Sequence, residues 1–135
     1  MRRQLLVLAL VLPLAGACSP GSAVNNYGKV VQGTKGTTVQ VEVAKGQRFS
    51  LAVPDNASIG DSWELVAVPD AKVASFISKE HEQKSDAPGA GGTSYFVFNA
   101  KQPGSTEVKL FDCYRCGTAK TTPESGEAIF EITVK

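Results

Sequence analysis

The chain is poor in the residues that most chemistry needs. Among 135 residues it has one histidine, three cysteines, one tryptophan and one methionine. A catalytic imidazole would have to be His81, which stands among Lys79, Glu80 and Glu82 in a stretch that reads as solvated. No phosphate-binding glycine loop, dinucleotide fingerprint or paired-histidine motif occurs. A structural zinc site needs about four ligands, which this chain does not supply, so no metal and no cofactor is expected. Charge of one sign is lacking too. Lys+Arg 14 stands against Asp+Glu 13, with no basic block or acidic tail, so nothing favours counterion-driven binding of nucleic acid. There is no internal repeat and no βα alternation. These absences argue against an enzyme and leave a small binding domain.

The only long apolar run is at the start. Arg2 and Arg3 precede Leu5 to Leu14, and Ala15, Gly16 and Ala17 close the run. That order is a secretory signal, too short to span a bilayer, over residues 1–17. The segment Leu14-Ala15-Gly16-Ala17-Cys18 resembles a bacterial lipobox, with Ala15 where leucine is preferred. The resemblance implies lipid on the Cys18 thiol, cleavage before it and acylation of the new amino terminus. Two or three acyl chains anchor stably where one does not. The expectation is an exported protein of the cell envelope, held at a membrane. Without Arg2 and Arg3 the counts become 12 against 13, close to neutral. Residues 18–38 are rich in Gly, Ser, Asn and Thr and read as a flexible tether. Residues 39–135 suffice for one domain with one core.

That domain reads as strands. Val39, Val41 and Val43 alternate with polar residues, as do Phe49, Leu51 and Val53 after the turn at Lys45-Gly46. Trp63 to Val68, Thr93 to Ala100, Val108 to Leu110 and Phe130 to Val134 follow, separated by turn residues. Val73, Phe76 and Ile77 fit a helical face, whereas Val73, Ser75 and Ile77 fit a strand; the strand is preferred. Short strands at this spacing predict an all-β, immunoglobulin-like β-sandwich of about seven strands.

Three loops carry unusual residues. They span residues 54–63, 85–92 and 112–117. In the last, Cys113 and Cys116 form an even pair once Cys18 is lipidated, and in an exported chain a local disulfide is the default. A thioredoxin-like redox site would place the pair at a helix start, and here it follows a strand.

At these loops the chain resembles the chagasin-type inhibitors of papain-like cysteine proteases. That family carries a loop Asn-Pro-Thr-Thr-Gly-Tyr-x-Trp, then Gly-x-Gly-Gly, then Arg-Pro-Trp. Here Asn56, Gly60 and Trp63 fall at the spacing of the first motif, with Ser58 for a threonine. Gly89-Ala90-Gly91-Gly92 matches the second in full, and Arg115 aligns with the third. Ala57, Ile59 and Asp61 depart from the first motif, and Cys116 and Gly117 stand where the third has Pro-Trp. The resemblance covers nearly all of the domain.

The resemblance implies a monomer whose three loops enter a papain-like cleft as a wedge, inhibiting competitively, reversibly and without a covalent bond. The protease-binding residues would be Asn56, Ala57, Ser58, Ile59, Gly60, Gly89, Ala90, Gly91, Gly92, Tyr114 and Arg115. Gly91 and Gly92 would let backbone approach the cleft closely. Asn56 and Ser58 would preform the first tip, reducing the entropy lost on binding. Trp63 reads as core. The alternative is an envelope adhesion or assembly module that keeps the sandwich without inhibition, and a weaker third reading is a redox-responsive lipoprotein using Cys113 and Cys116.

Overall fold

The structure, a computed structural model, describes residues 26–118 and 121–135. Eight strands follow one another: β1 (Lys29–Gln32), β2 (Thr38–Val43), β3 (Arg48–Asp55), β4 (Trp63–Ala67), β5 (Ala74–Gln83), β6 (Gly92–Ala100), β7 (Gly104–Asp112) and β8 (Gly126–Val134). They form two four-stranded sheets, ordered β1-β3-β6-β5 and β2-β8-β7-β4. Most pairs are antiparallel, but β1 runs parallel to β3 and β2 parallel to β8. The expected immunoglobulin-like sandwich of about seven strands is present, with eight strands among the described residues.

Alternation is what builds it. Phe49, Leu51 and Val53 of β3 and Phe96 and Phe98 of β6 face Trp63, Val108, Leu110, Phe130 and Ile132 of the opposite sheet, all fully buried. The Trp63 indole N–H donates to Pro54 O at 2.8 Å, which satisfies its polar atom inside the core. The segment Ala74–Gln83 is a strand, as preferred over the helix. Its register with β6 slips between Phe76 and Ser78, a bulge on an exposed sheet edge.

Residues 29–32, within the segment expected to be a flexible tether, form a strand. Just before it, Tyr27 stacks on Tyr95 with ring centroids 4.4 Å apart, and Tyr27 O accepts the Ser50 hydroxyl at 2.6 Å. Val30 to Gln32 then pair with Ser50 to Ala52. The two valines of β1 are adjacent and do not alternate with polar residues, and as a short edge element β1 buries little of itself, so the strand has no pattern to read in sequence. Signal residues 1–17 and Cys18 lie outside the described residues.

The strand order sends alternate connections to opposite ends. The β1–β2, β3–β4, β5–β6 and β7–β8 connections share one end, and the β2–β3, β4–β5 and β6–β7 turns share the other. All three unusual loops are therefore at the same end.

Candidate functional site

The first loop is preformed by its own polar groups. Asn56 caps a single 3-10 turn, Ala57–Ile59; its Oδ1 accepts the Ser58 N–H at 3.1 Å and also the Ser58 hydroxyl. Gly60 closes the turn at φ 112°, where a side chain is disfavoured, and a β-carbon there would lie 2.4 Å from Arg115 Cγ. The turn leaves Ala57, Ser58 and Ile59 exposed, with Ile59 at 47%.

Hydrogen bonds join the other two loops to the first. Asn56 Nδ2 donates to Gly89 O at 3.3 Å, and the Lys84 N–H to Gly91 O at 2.9 Å closes the second loop. From the third, the Arg115 backbone N–H donates to Gly60 O and its Nε to Ile59 O, both at 2.9 Å. Arg115 has a left-handed φ of 49°, which aims both donors at the first loop. Asn56 and Arg115 thus tie three loops into one edge, with the first in the middle.

A fourth segment supports this edge. The β1–β2 connection places Lys35 Nζ 3.2 Å from Asp112 Oδ2, 3.0 Å from Glu124 O and 4.9 Å from the Tyr114 ring centroid. The Arg115 guanidinium carbon lies 5.2 Å from the same ring, so Tyr114 packs against two cations. Asp112 is fully buried, and its Oδ1 accepts the Ser62 N–H at 2.7 Å. Asp61 sits beside it and accepts the Asn56 N–H at 2.9 Å. Burial, and then a hydrogen bond to Asp112, raise the Asp61 carboxyl above the usual carboxylate range. Around these groups is a cleft of about 410 Å³ between the first and third loops, lined by Ile59, Asp61, Trp63, Asp112, Tyr114 and Lys35.

Most residues expected to bind a protease lie on this edge, but not all can touch a partner. Asn56 through Gly60, Gly89, Ala90 and Gly91 surround the tip. Gly92 does not: it is buried in β6, and a β-carbon there would fall 2.4 Å from Glu82 O and 2.7 Å from the His81 ring. Its missing side chain serves sheet packing, which corrects its reading as a contact residue. Tyr114 is half-buried, and Arg115 is exposed, with its backbone N–H and Nε turned to the first loop and the Nη groups left facing outward. Cys113 and Cys116 are bonded to each other, with Cα atoms 5.6 Å apart.

Sequence reading missed Lys35, Asp61 and Asp112 as parts of the site. Gly33-Thr34-Lys35-Gly36 has the composition of a turn, and a flexible tether has the same composition. His81 has a partner after all: its Nδ1 is 3.2 Å from Ser94 Oγ. The Ser94 hydroxyl itself donates to the buried Asp55 carboxylate, so serine and not histidine holds the central place. Ser94 is fully buried, so its hydroxyl is a structural link between the two and not an exposed nucleophile of a hydrolase triad. Among the described residues, no group of three or more His, Cys, Asp or Glu is placed to hold a metal ion.

Solved structures with this fold include inhibitors. Amebosin, known from a solution structure, is 21% identical with a TM-score of 0.55, over 79% of this chain and 98% of that one. The cysteine protease inhibitor EhICP2 from Entamoeba histolytica is 12% identical with a TM-score of 0.58, over 79% and 96%. PbICP-C, solved in complex with falcipain-2, is 13% identical with a TM-score of 0.61, over 80% and 100%. At these identities the likeness shows the fold. Comparison with curated protein sequences finds no significant match. The sequence model of the family described as chagasin family peptidase inhibitor I42 matches residues 42–134, more than two-thirds of the chain, and the chain belongs to that family.

Proposed function

We propose that this chain is a reversible, non-covalent, competitive inhibitor of papain-like cysteine proteases, with the first loop over the catalytic centre and the second and third on either side. The observation that carries the reading is the cross-tied edge, in which Asn56 and Arg115 bind three loops together around the exposed Ala57-Ser58-Ile59 tip. A protease cleft recognises extended backbone, and an edge already fixed by internal hydrogen bonds loses little conformational entropy on entering it. Ile59, where the family has a second threonine, adds an apolar contact at the tip. Family membership and the inhibitors that share the fold support the same target class. The protein acts as a monomer, and an acylated Cys18 holds it at the membrane.

Titration of papain with the chain lacking residues 1–18 tests the function. The expected result is inhibition that excess substrate relieves and dilution reverses. A folded domain with no effect at micromolar concentration would leave the adhesion reading instead. The intact mass of the membrane-extracted protein tests the anchor, with acyl groups on a chain that begins at Cys18 as the expected result.

A further inference from the structure

The near-neutral charge of the chain conceals a strong separation between its two ends. Five exposed lysines stand at the end opposite the loops: Lys29 at the start of β1, Lys45 in the β2–β3 turn, Lys72 in the β4–β5 turn, Lys101 in the β6–β7 turn and Lys135 after β8. Of the chain's 13 acidic residues, Glu42 and Asp70 share that end with them and Arg48, and Glu107 and Glu131 stand three residues further up the second sheet, so cations remain in excess there. Lys135 Nζ bonds Glu42 at 2.9 Å, and Asp70 accepts the Lys72 backbone N–H. Lys45, Lys72 and Lys101 have no side-chain bond to either carboxylate.

The first described residues also lie at this end. Arg48 Nη1 lies 3.4 Å from Asn26 O, and Gly28 packs on Arg48 O, so Asn26, eight residues after Cys18, stands beside the lysines. Residues 18–25 can extend by at most about 28 Å. Strands of nine residues, such as β7 and β8, carry the loops about 30 Å further away.

We infer that the lysine-bearing end of the sandwich is a docking face for an anionic phospholipid surface, and that docking points the three loops away from the membrane. The inference rests on the lipidation of Cys18 for attachment and on the lysines for orientation. Each lysine near an anionic bilayer strengthens binding about fivefold, and the attraction acts within a Debye length of about 10 Å at 0.1 M salt. Asn26 can lie no more than about 28 Å from Cys18, so the lysine end can reach that range while the loop end, about 30 Å further off, stays outside it. The acidic residues toward the loop end meet repulsion only when that end turns to the surface, which disfavours the inverted orientation.

The test reconstitutes the acylated protein into phosphatidylcholine vesicles, with or without phosphatidylglycerol, and follows acylation of each lysine by mass spectrometry. Lys45, Lys72 and Lys101 are expected to react at least about threefold more slowly on anionic vesicles at 0.1 M salt, with the difference gone at 1 M. Lys35 and Lys84, at the loop end, are expected to react equally on both. Equal labelling throughout, or protection at the loop end, overturns the inference. So does equal protection by a soluble polyanion such as heparin, which would assign the surface to a polymer. A Lys45→Glu, Lys101→Glu variant should lose the protection while still inhibiting papain in solution; retained protection overturns the inference as well. Failure of the anchor is read separately from the mass at Cys18. The unacylated chain then carries the same comparison, expected to float with anionic vesicles and not with neutral ones.

Discussion

A β-carbon added to Gly91 would stand 3.6 Å from Asn56 Nδ2, an ordinary contact, whereas one on Gly92 would clash with Glu82 O and the His81 ring. Gly91→Phe is therefore expected to leave the melting temperature unchanged and to weaken papain inhibition at least about tenfold, by blocking close approach of the backbone. Gly92→Val is expected to cost about 1–3 kcal/mol of stability in denaturant unfolding, because overpacking forces the sheet to shift. Asp61 gives a pH signature. Its folded carboxyl titrates above the ordinary 3.8, so its contribution is full below that value and is lost as pH rises through the higher folded value. Asp61→Asn, which keeps an acceptor for Asn56 and removes the charge beside Asp112, should raise the melting temperature at pH 7, with the gain closing as pH falls toward 3.8. The polar tip was legible in sequence because asparagine, serine and glycine advertise turns. Asp61, Asp112 and Lys35 were not, because a carboxylate pair and its cation become a unit only when three separate connections meet.

At the scale of elements, the third loop and β1 each invite one measurement. The Cys113–Cys116 bond closes a four-residue loop, which limits its effect on global stability to about 2 kcal/mol. Reduction should therefore lower the melting temperature modestly and weaken inhibition more, through the loop that holds Arg115 against the first. Tyr27→Ala should cost about 1–2 kcal/mol by removing the stack on Tyr95, measured by urea unfolding. No loss would return residues 26–32 to the tether. The long strands were readable because one face of each is buried: Phe130, Ile132 and Val134 of β8 declare their face, as do Phe49, Leu51 and Val53 of β3. In β1, by contrast, Lys29, Val30 and Gln32 are exposed and Val31 is only partly buried. A short edge strand held by backbone pairing leaves no hydrophobic alternation to find.

Across the whole molecule, β8 is the keystone of its sheet, between β2 and β7. Its partner β2 lies 91 residues back in the chain, and β2 pairs with no other strand. A chain ending at Ser125 loses Phe130 and Ile132 from the core and leaves β2 unpaired. It should show no cooperative unfolding transition by circular dichroism. The same arrangement sets the order in which the molecule is completed as it is made. A chain that has reached Ser125 already carries all three loops and every strand of the first sheet, yet the second sheet stays open between β2 and β7 until β8 is free. Under the function proposed above, inhibition is therefore expected to need the nine residues of β8, although none of them belongs to a loop.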